Sequence, residues 1–252
     1  MKRILALLLV CAMLALAGCE EKENKPESGT NKEIIYSLPS IDADDVEVEE
    51  AEYSRFGGKI VYSNVRMKKF DERFKEADVS VKVKITKYLG VAETKYETDN
   101  TLFKAKVLVC YKGDVKPGDD IYLIQYGSPL GTMSSESTLF GIADILTLNL
   151  ISYTDDRITT QNHYYEIMNL YAGIIESITY EGVEYAIIRA PYDYLNNLRL
   201  TPVDDVLCKK VFDYYVKCDS YRNNIVNTIG NKNVYKYSDI QNAIIDLMNK
   251  EK

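Results

Sequence analysis

The chain has 252 residues, with 31 Lys and Arg against 38 Asp and Glu, and carries a formal net charge of −7. That length holds one principal domain with a sizeable core. The acidic balance excludes the basic footprint of a nucleic-acid binder and a polybasic grip on anionic lipid. The chain opens "MKRILALLLVCAMLALAGCEEKENK", where Lys2 and Arg3 precede an apolar run of 14 residues, Ile4 to Ala17. A helix of that length, rising about 1.5 Å per residue, falls short of the ~30 Å hydrocarbon core of a bilayer. A charged start, a short apolar middle and small residues before an abrupt polar stretch describe a secretory signal peptide over residues 1–18.

The end of that leader, Leu16-Ala17-Gly18-Cys19, resembles the lipobox of bacterial lipoproteins. The resemblance covers the leader only. It implies that the Cys19 thiol receives a diacylglyceryl group, that cleavage falls just before it, and that the chain is held on the outer face of the cell membrane. Two acyl chains anchor stably where one does not. Cys11 lies within the apolar run and lacks the small-small lead. Loss of the leader removes Lys2 and Arg3 and no acid, which leaves a net charge of −9. The stretch after Cys19, "EEKENKPESGTNKE", holds too little apolar surface to order itself and reads as a tether. The acidic run "DADDVEVEE", Asp42 to Glu50, extends it as a solvated, self-repelling spacer, so the tether is placed at residues 19–58. A calcium loop would need a glycine and a terminal glutamate in register, and the run has neither.

The folded body is expected from Lys59. In "VRMKKFDERFKEA", Met67, Phe70 and Phe74 are spaced for one face of a helix. "DVSVKVKITKYL" then alternates, with Val79, Val81, Val83 and Ile85 inward and Ser80, Lys82, Lys84 and Thr86 outward. "LFKAKVLVCYKG" repeats this, with Phe103, Ala105, Val107 and Val109 inward and Lys104 and Lys106 outward. The turn-rich "KGDVKPGDD" leads into a third strand, "IYLIQYG". Further strands are expected at "LFGIADILTLNLISY" and across "GIIESITYEGVEYAIIRA", where Glu181-Gly182 joins two β-rich runs. In "TPVDDVLCKKVFDYYVKC", Thr201 caps a helix with Pro202 in its first turn, and Val203, Leu207, Val211 and Tyr214 or Tyr215 form its stripe. The last helix, "YSDIQNAIIDLMNK", starts at Ser238 with Gln241 completing a capping box, and buries Ile240, Ile244, Leu247 and Met248. The fold class is α+β: an antiparallel β-barrel domain over residues 59–200 and a helical segment over 201–252 packed on it.

From Ala77 to about Tyr153, under a third of the chain, the strand pattern with its Lys-Gly turn resembles surface lipoproteins of low-GC Gram-positive bacteria. It is also similar to the barrel of the netrin and metalloproteinase-inhibitor group, which implies an OB-like fold. Those inhibitors hold a protease metal through a free N-terminal cysteine, and here the Cys19 thiol would carry lipid. They are also stapled by several disulfides, for which this domain has too few cysteines.

The remaining cysteines are Cys110, Cys208 and Cys218. On one helix, ten residues separate the last two by ~15 Å, beyond the ~7 Å limit for bonded α-carbons, so no bridge is expected between them. There is no CxxC pair, and the single histidine, His163 in "TTQNHYYE", reads as structural or solvent-facing; no metal site and no cofactor is expected. Gly57-Gly58 runs into Lys59-Ile60, with no phosphate-binding G-x-x-x-x-G-K-[ST]. The serines of "GTMSSES", between Ser134 and Ser137, lack the strained G-x-S-x-G elbow and read as a loop tip. Acids are too many to nominate a glycosidase pair, so no catalytic residue is named. The 21 tyrosines cluster at Tyr164-Tyr165, Tyr192/Tyr194 and Tyr214-Tyr215. Core packing under an AT-rich coding bias is preferred there to a sugar-stacking platform.

These readings converge on a lipid-anchored extracytoplasmic protein, a non-catalytic module binding another envelope protein or a glycan. The alternative is an envelope hydrolase using carboxylates and tyrosines at the barrel mouth. A transporter's solute-binding lipoprotein would show two lobes of alternating strand and helix, and that alternation is absent.

Overall fold

The structure, a computed structural model, describes residues 38–53, 60–61, 68–93, 99–129, 133–134, 139–154, 158, 162–167, 174–189, 195–220, 222 and 233–250. The leader with its Cys19, Met67 and the Tyr192/Tyr194 pair lie outside them. The strands are β1 (Ile60–Val61), β2 (Val79–Glu93), β3 (Asp99–Lys112), β4 (Asp120–Tyr126), β5 (Met133–Ser134), β6 (Ile145–Ser152), β7 (Tyr164–Ile167), β8 (Ile174–Tyr180), β9 (Val183–Ile188) and β10 (Val234–Lys236). The helices are α1 (Phe70–Glu76), α2 (Asp205–Cys218) and α3 (Tyr237–Lys250).

β2, β3, β4, β7 and β6 close into a five-stranded barrel. The arrangement is mixed rather than antiparallel throughout. β6 takes the place beside β2, so β7 returns to the far side of β4 and runs parallel to it. Closure removes the open edges that a five-stranded sheet would otherwise present. Val81, Val83, Ile85, Phe103, Ala105 and Val107 fill the interior with no exposed surface.

β6 changes partners along its length. Its first residues pair with β8 and its last with β7, so the sheet leaves the barrel and continues through β8, β9 and β10. β8 and β9 are joined by Glu181 and Gly182, both at positive φ (50° and 77°), a turn whose twist matches the flanking strands. One face of the sheet packs against α1 and α3, through Phe70, Phe74, Ile240 and Ile244. Ile178 and Ile187 pack on the other side against Val211 and Phe212 of α2.

The β2–β3 pair carries four register shifts, and one of them corrects the expected inward set. Lys82 pairs with Val109 and Val83 with Val107, which leaves Leu108 unopposed. The extra residue turns the pleat over. Val109, expected inside the barrel beside Val107, therefore joins Leu108 and Tyr111 in the outer core, while Cys110 turns to the interior.

The acidic run Asp42 to Glu50 keeps its acidic side chains exposed, as its charge suggests, but its backbone is docked on the barrel rather than free. Residues 38–53 form a strap across the outer barrel wall. The Ile41 N–H donates to the Leu108 carbonyl at 3.1 Å and the Glu49 N–H to the Thr86 carbonyl at 2.8 Å. Leu108 and Thr86 are both bulge residues, skipped in the β2–β3 ladder. Lys84 Nζ donates to the carbonyls of Ala43 (2.8 Å) and Val46 (2.9 Å), and Lys87 pairs with Glu49 at 2.7 Å. Where the strap ends, Tyr53 stacks on Tyr88 with ring centroids 4.4 Å apart, and its hydroxyl donates to the Phe140 carbonyl.

Two helix starts also differ from expectation. Asp204, not Thr201, caps α2, its carboxylate accepting from the Val206 and Leu207 N–H groups at 3.0 Å. β10 runs directly into α3 at Tyr237, so Ser238 lies inside the first turn and does not cap it. Of the two candidate tyrosines of α2, Tyr215 is buried and Tyr214 is exposed.

Lys82, Lys84, Lys104 and Lys106 do point out of the barrel, but a second layer covers the first two. Lys82 Nζ bonds Glu184 at 2.6 Å and sits 4.0 Å from the centre of the Tyr237 ring. Val81→Ala should therefore lower stability by about 1–3 kcal/mol through lost burial and a cavity. Lys82→Ala should cost about 1 kcal/mol, above the roughly 0.5 kcal/mol of ordinary surface changes. Urea melts of both variants check this, and a wild-type midpoint for Lys82→Ala would show that the covering layer contributes nothing through that side chain.

Candidate functional site

Among the described residues, a buried cluster of two acids and two arginines joins the barrel to its extension. Glu176 stands in the middle of β8, Arg189 follows β9, Asp144 precedes β6, and Arg222 lies beyond α2. Glu176 accepts from Arg189 Nε and from Arg222 Nη2, each at 2.6 Å, and from the hydroxyl of Tyr215. Asp144 accepts from Arg189 at 3.1 Å, from Arg222 at 3.2 Å and from the Gly141 N–H at 2.7 Å. Two cations and two anions balance, which is the condition for charges to be tolerated away from water. Burial and the Glu176 charge hold the Tyr215 phenol protonated far above its usual range. The cluster is a clasp between elements. The sequence hides it because its charges lie at positions 144, 176, 189 and 222. The available signal is an acid inside the apolar strand "IIESITY".

A second constellation lies at the barrel end where β2, β4 and β7 begin. Here Gly113, at φ +101°, passes so close to the start of β2 that a Cβ would lie 2.8 Å from the Asp78 carbonyl oxygen. A depression of about 310 Å³ opens beside it, lined by Val115, Asp119, Ile121, Tyr122, His163 and Tyr165, with Asp120 at its rim. Tyr122 packs on the buried Tyr164 with centroids 5.6 Å apart, and His163 meets Tyr165 edge-on at 4.7 Å. Asp120 is bonded by Lys104 at 2.7 Å and by Lys106. Although burial opposes it, these bonds hold the Asp120 carboxyl below its ordinary range.

His163 is exposed, as expected, but has company. Its Nε2 lies 3.3 Å from Ser152 Oγ. The Asp78 carboxylate accepts the Ser152 N–H at 2.8 Å and also interacts with the Ser152 hydroxyl, and these bonds lower its pKa. In a serine-hydrolase triad the carboxylate orients the far nitrogen of the imidazole. Here it is bonded to the serine. Burial pushes the Glu166 carboxyl on β7 above its ordinary range.

Cys208 and Cys218 share α2, and neither they nor Cys110 is in a disulfide. Burial pushes the Cys208 thiol up to about 11 and also raises that of Cys110, so neither is a ready nucleophile. Of the tyrosine clusters, Tyr164 and Tyr215 are buried, Tyr165 borders the depression, and Tyr214 lies against Tyr180. Among the described residues no group of three or more His, Cys, Asp or Glu side chains is placed to hold a metal ion. Among those residues, too, no helix is long and apolar enough to cross a membrane. No protein-family model matches the chain, and no curated protein matches it in sequence.

Glu176→Gln should lower stability by about 3 kcal/mol, because it leaves two buried guanidinium groups facing one carboxylate. Chemical denaturation measures this. Thermal melts with and without reductant should coincide, and a drop in reductant would reveal a stabilising bridge.

Proposed function

We propose that the protein is a lipid-anchored extracytoplasmic binding module whose OB-like barrel presents its open end to another envelope protein or a glycan. The observation that carries the reading is the depression at that end. Tyr165 is held edge-on by His163 and Asp120 is already paired with two lysines, so it offers a prepared surface. The strand order supports the OB-like assignment: a first strand flanked by the second and fourth, and a parallel third and fifth. The opposite end is occupied by Tyr53 and its ring partners. The leader motif ending at Cys19 and the charged stretch behind it supply the anchor and the reach in this reading.

The alternative of a hydrolase at the barrel mouth draws on the raised carboxyl of Glu166 and on the contact between Ser152 and His163. A general acid needs a raised pKa, and burial raises that of Glu166. The wiring of Asp78 to the serine favours binding over acyl transfer.

Two measurements separate the parts of this proposal. Cys19→Ala should move the protein from the detergent phase to the aqueous phase, and unchanged partitioning would overturn the lipid anchor. A pull-down from the native envelope with the lipidated chain should retain a partner or glycan. Turnover of envelope glycan or ester substrates that Glu166→Gln abolishes would instead establish the hydrolase.

A further inference from the structure

We infer that the barrel end opposite the depression is a binding site for a phenol ring, which Tyr53 of the strap occupies as an exchangeable internal ligand. The ligand class is a free phenol or a tyrosyl side chain, and the site is separate from the depression described above.

The walls of this site belong to the barrel and do not depend on the strap. Tyr88 on β2 lies directly opposite Phe103 on β3, so the register puts both rings on the inner face. Phe140 closes a third side, its ring 5.4 Å from that of Phe103. Tyr53 stacks on Tyr88 with 7° between the planes and meets Phe103 at 6.0 Å and 58°. A flat ring thus has one face to stack on and a tilted neighbour beside it, both favourable aromatic geometries.

The hydroxyl has a receptor of its own. That of Tyr53 donates to the Phe140 carbonyl, which other elements hold in place. The Phe140 N–H donates to Oε1 of the buried Gln125 at 2.9 Å. The Gly141 N–H belongs to the same peptide unit as that carbonyl and donates to the Asp144 carboxylate at 2.7 Å. A trans peptide points its carbonyl away from its N–H, so Asp144 of the clasp aims the acceptor. Linked hydrogen bonds of this kind polarise one another and strengthen the acceptor.

The occupant is held more loosely than the walls. Val46 is the last buried residue of the strap before Tyr53, and the six residues between them, "EVEEAE", are all exposed. They reach the barrel through the Glu49 N–H on the Thr86 carbonyl and the pairing of Glu49 with Lys87. Four carboxylates in six residues also repel one another. Beside this run lies a groove of about 580 Å³, lined by Val48, Glu50, Ala51 and Glu52 of the strap and by Ile142 and Ala143, which follow Phe140 closely. An incoming ring has an approach there. It would take over the Tyr88 face and the Phe140 carbonyl, and the end of the strap would be released.

The test titrates the full-length wild-type chain in detergent with p-cresol and with N-acetyltyrosinamide, and repeats both on Tyr53→Ala. Calorimetry gives the affinity, and amide hydrogen exchange at Glu49 reports whether the strap has lifted. Saturable p-cresol binding to the wild type is expected, together with faster exchange at Glu49. Binding to Tyr53→Ala should be at least about tenfold tighter, because the internal competitor is gone. The ether 4-methylanisole, which cannot donate to the carbonyl, should bind either chain at least about tenfold more weakly than p-cresol. Binding of N-acetyltyrosinamide as well identifies a tyrosyl side chain as the ligand, and binding of p-cresol alone identifies a free phenol. Binding to Tyr53→Ala with none to the wild type overturns the inference, since an emptied apolar cavity takes up small aromatics in any case. Unchanged exchange at Glu49 in the bound wild type overturns it too, as does 4-methylanisole matching p-cresol. Circular dichroism checks that Tyr53→Ala is folded, and if it is not, the wild-type titrations decide alone.

Discussion

Closing five strands around a small interior forces the longest pair, β2 and β3, to coil, and regular antiparallel pairing does not coil enough. The four unopposed residues of that pair supply the bend: Tyr111 and Leu108 on β3, Thr86 and Leu89 on β2. Each bulge also takes a carbonyl out of the ladder, and a carbonyl without a partner is costly once covered. Two of these carbonyls, on Leu108 and Thr86, receive the N–H groups of Ile41 and Glu49. The strap and the curvature of the barrel are therefore one feature. This is why a segment carrying seven acids between Asp42 and Glu52 still lies on the wall. Its backbone and its few apolar groups, Val46 and Tyr53 among them, outweigh the repulsion among its side chains.

The extension β8–β9–β10 has a different support. It departs from the barrel where β6 gives up β7 for β8, and near that junction the clasp of Asp144, Glu176, Arg189 and Arg222 ties the two parts to α2. An ionic cluster of this kind is weak evidence for net stability, because desolvation offsets much of the attraction. What it does contribute is specificity. Each guanidinium reaches both carboxylates, so a slipped register would strand charges in the core.

Stacked rings occupy one barrel end, strap and helices cover parts of the wall, and the other end carries the depression. There the single histidine, an orienting pair of aromatic contacts, and carboxylates already held by lysines or backbone meet around an open depression. The lysines that pair with Asp120 extend from the strand face whose opposite side fills the barrel. In this way the same alternation builds the core and sets the charge of the rim. The proposed role as a binding module follows from that placement rather than from any isolated residue.

Period-two alternation was enough to identify β2, β3 and β4, and 3.6-residue spacing to identify the three helices, because both periods are local properties of the backbone. The Glu181-Gly182 turn was legible for the same reason, as glycine permits the positive φ that a two-residue hairpin needs. Other features depended on contacts distant in sequence. A bulge at Leu108 put Val109 on the opposite face from Val107, and no rule of alternation marks where a strand will skip a residue. Lys82 reads as a surface residue because its neighbours alternate, yet α3, more than 150 positions later, lays Tyr237 over it. The clasp joins four charges, and the barrel end joins Asp78, Ser152 and His163, each unremarkable in its own segment. The parallel pairing of β4 with β7 arises only once the ring closes. Local periodicity determined what each segment is, and the hydrogen-bonding demands of a closed, covered barrel decided which segments meet.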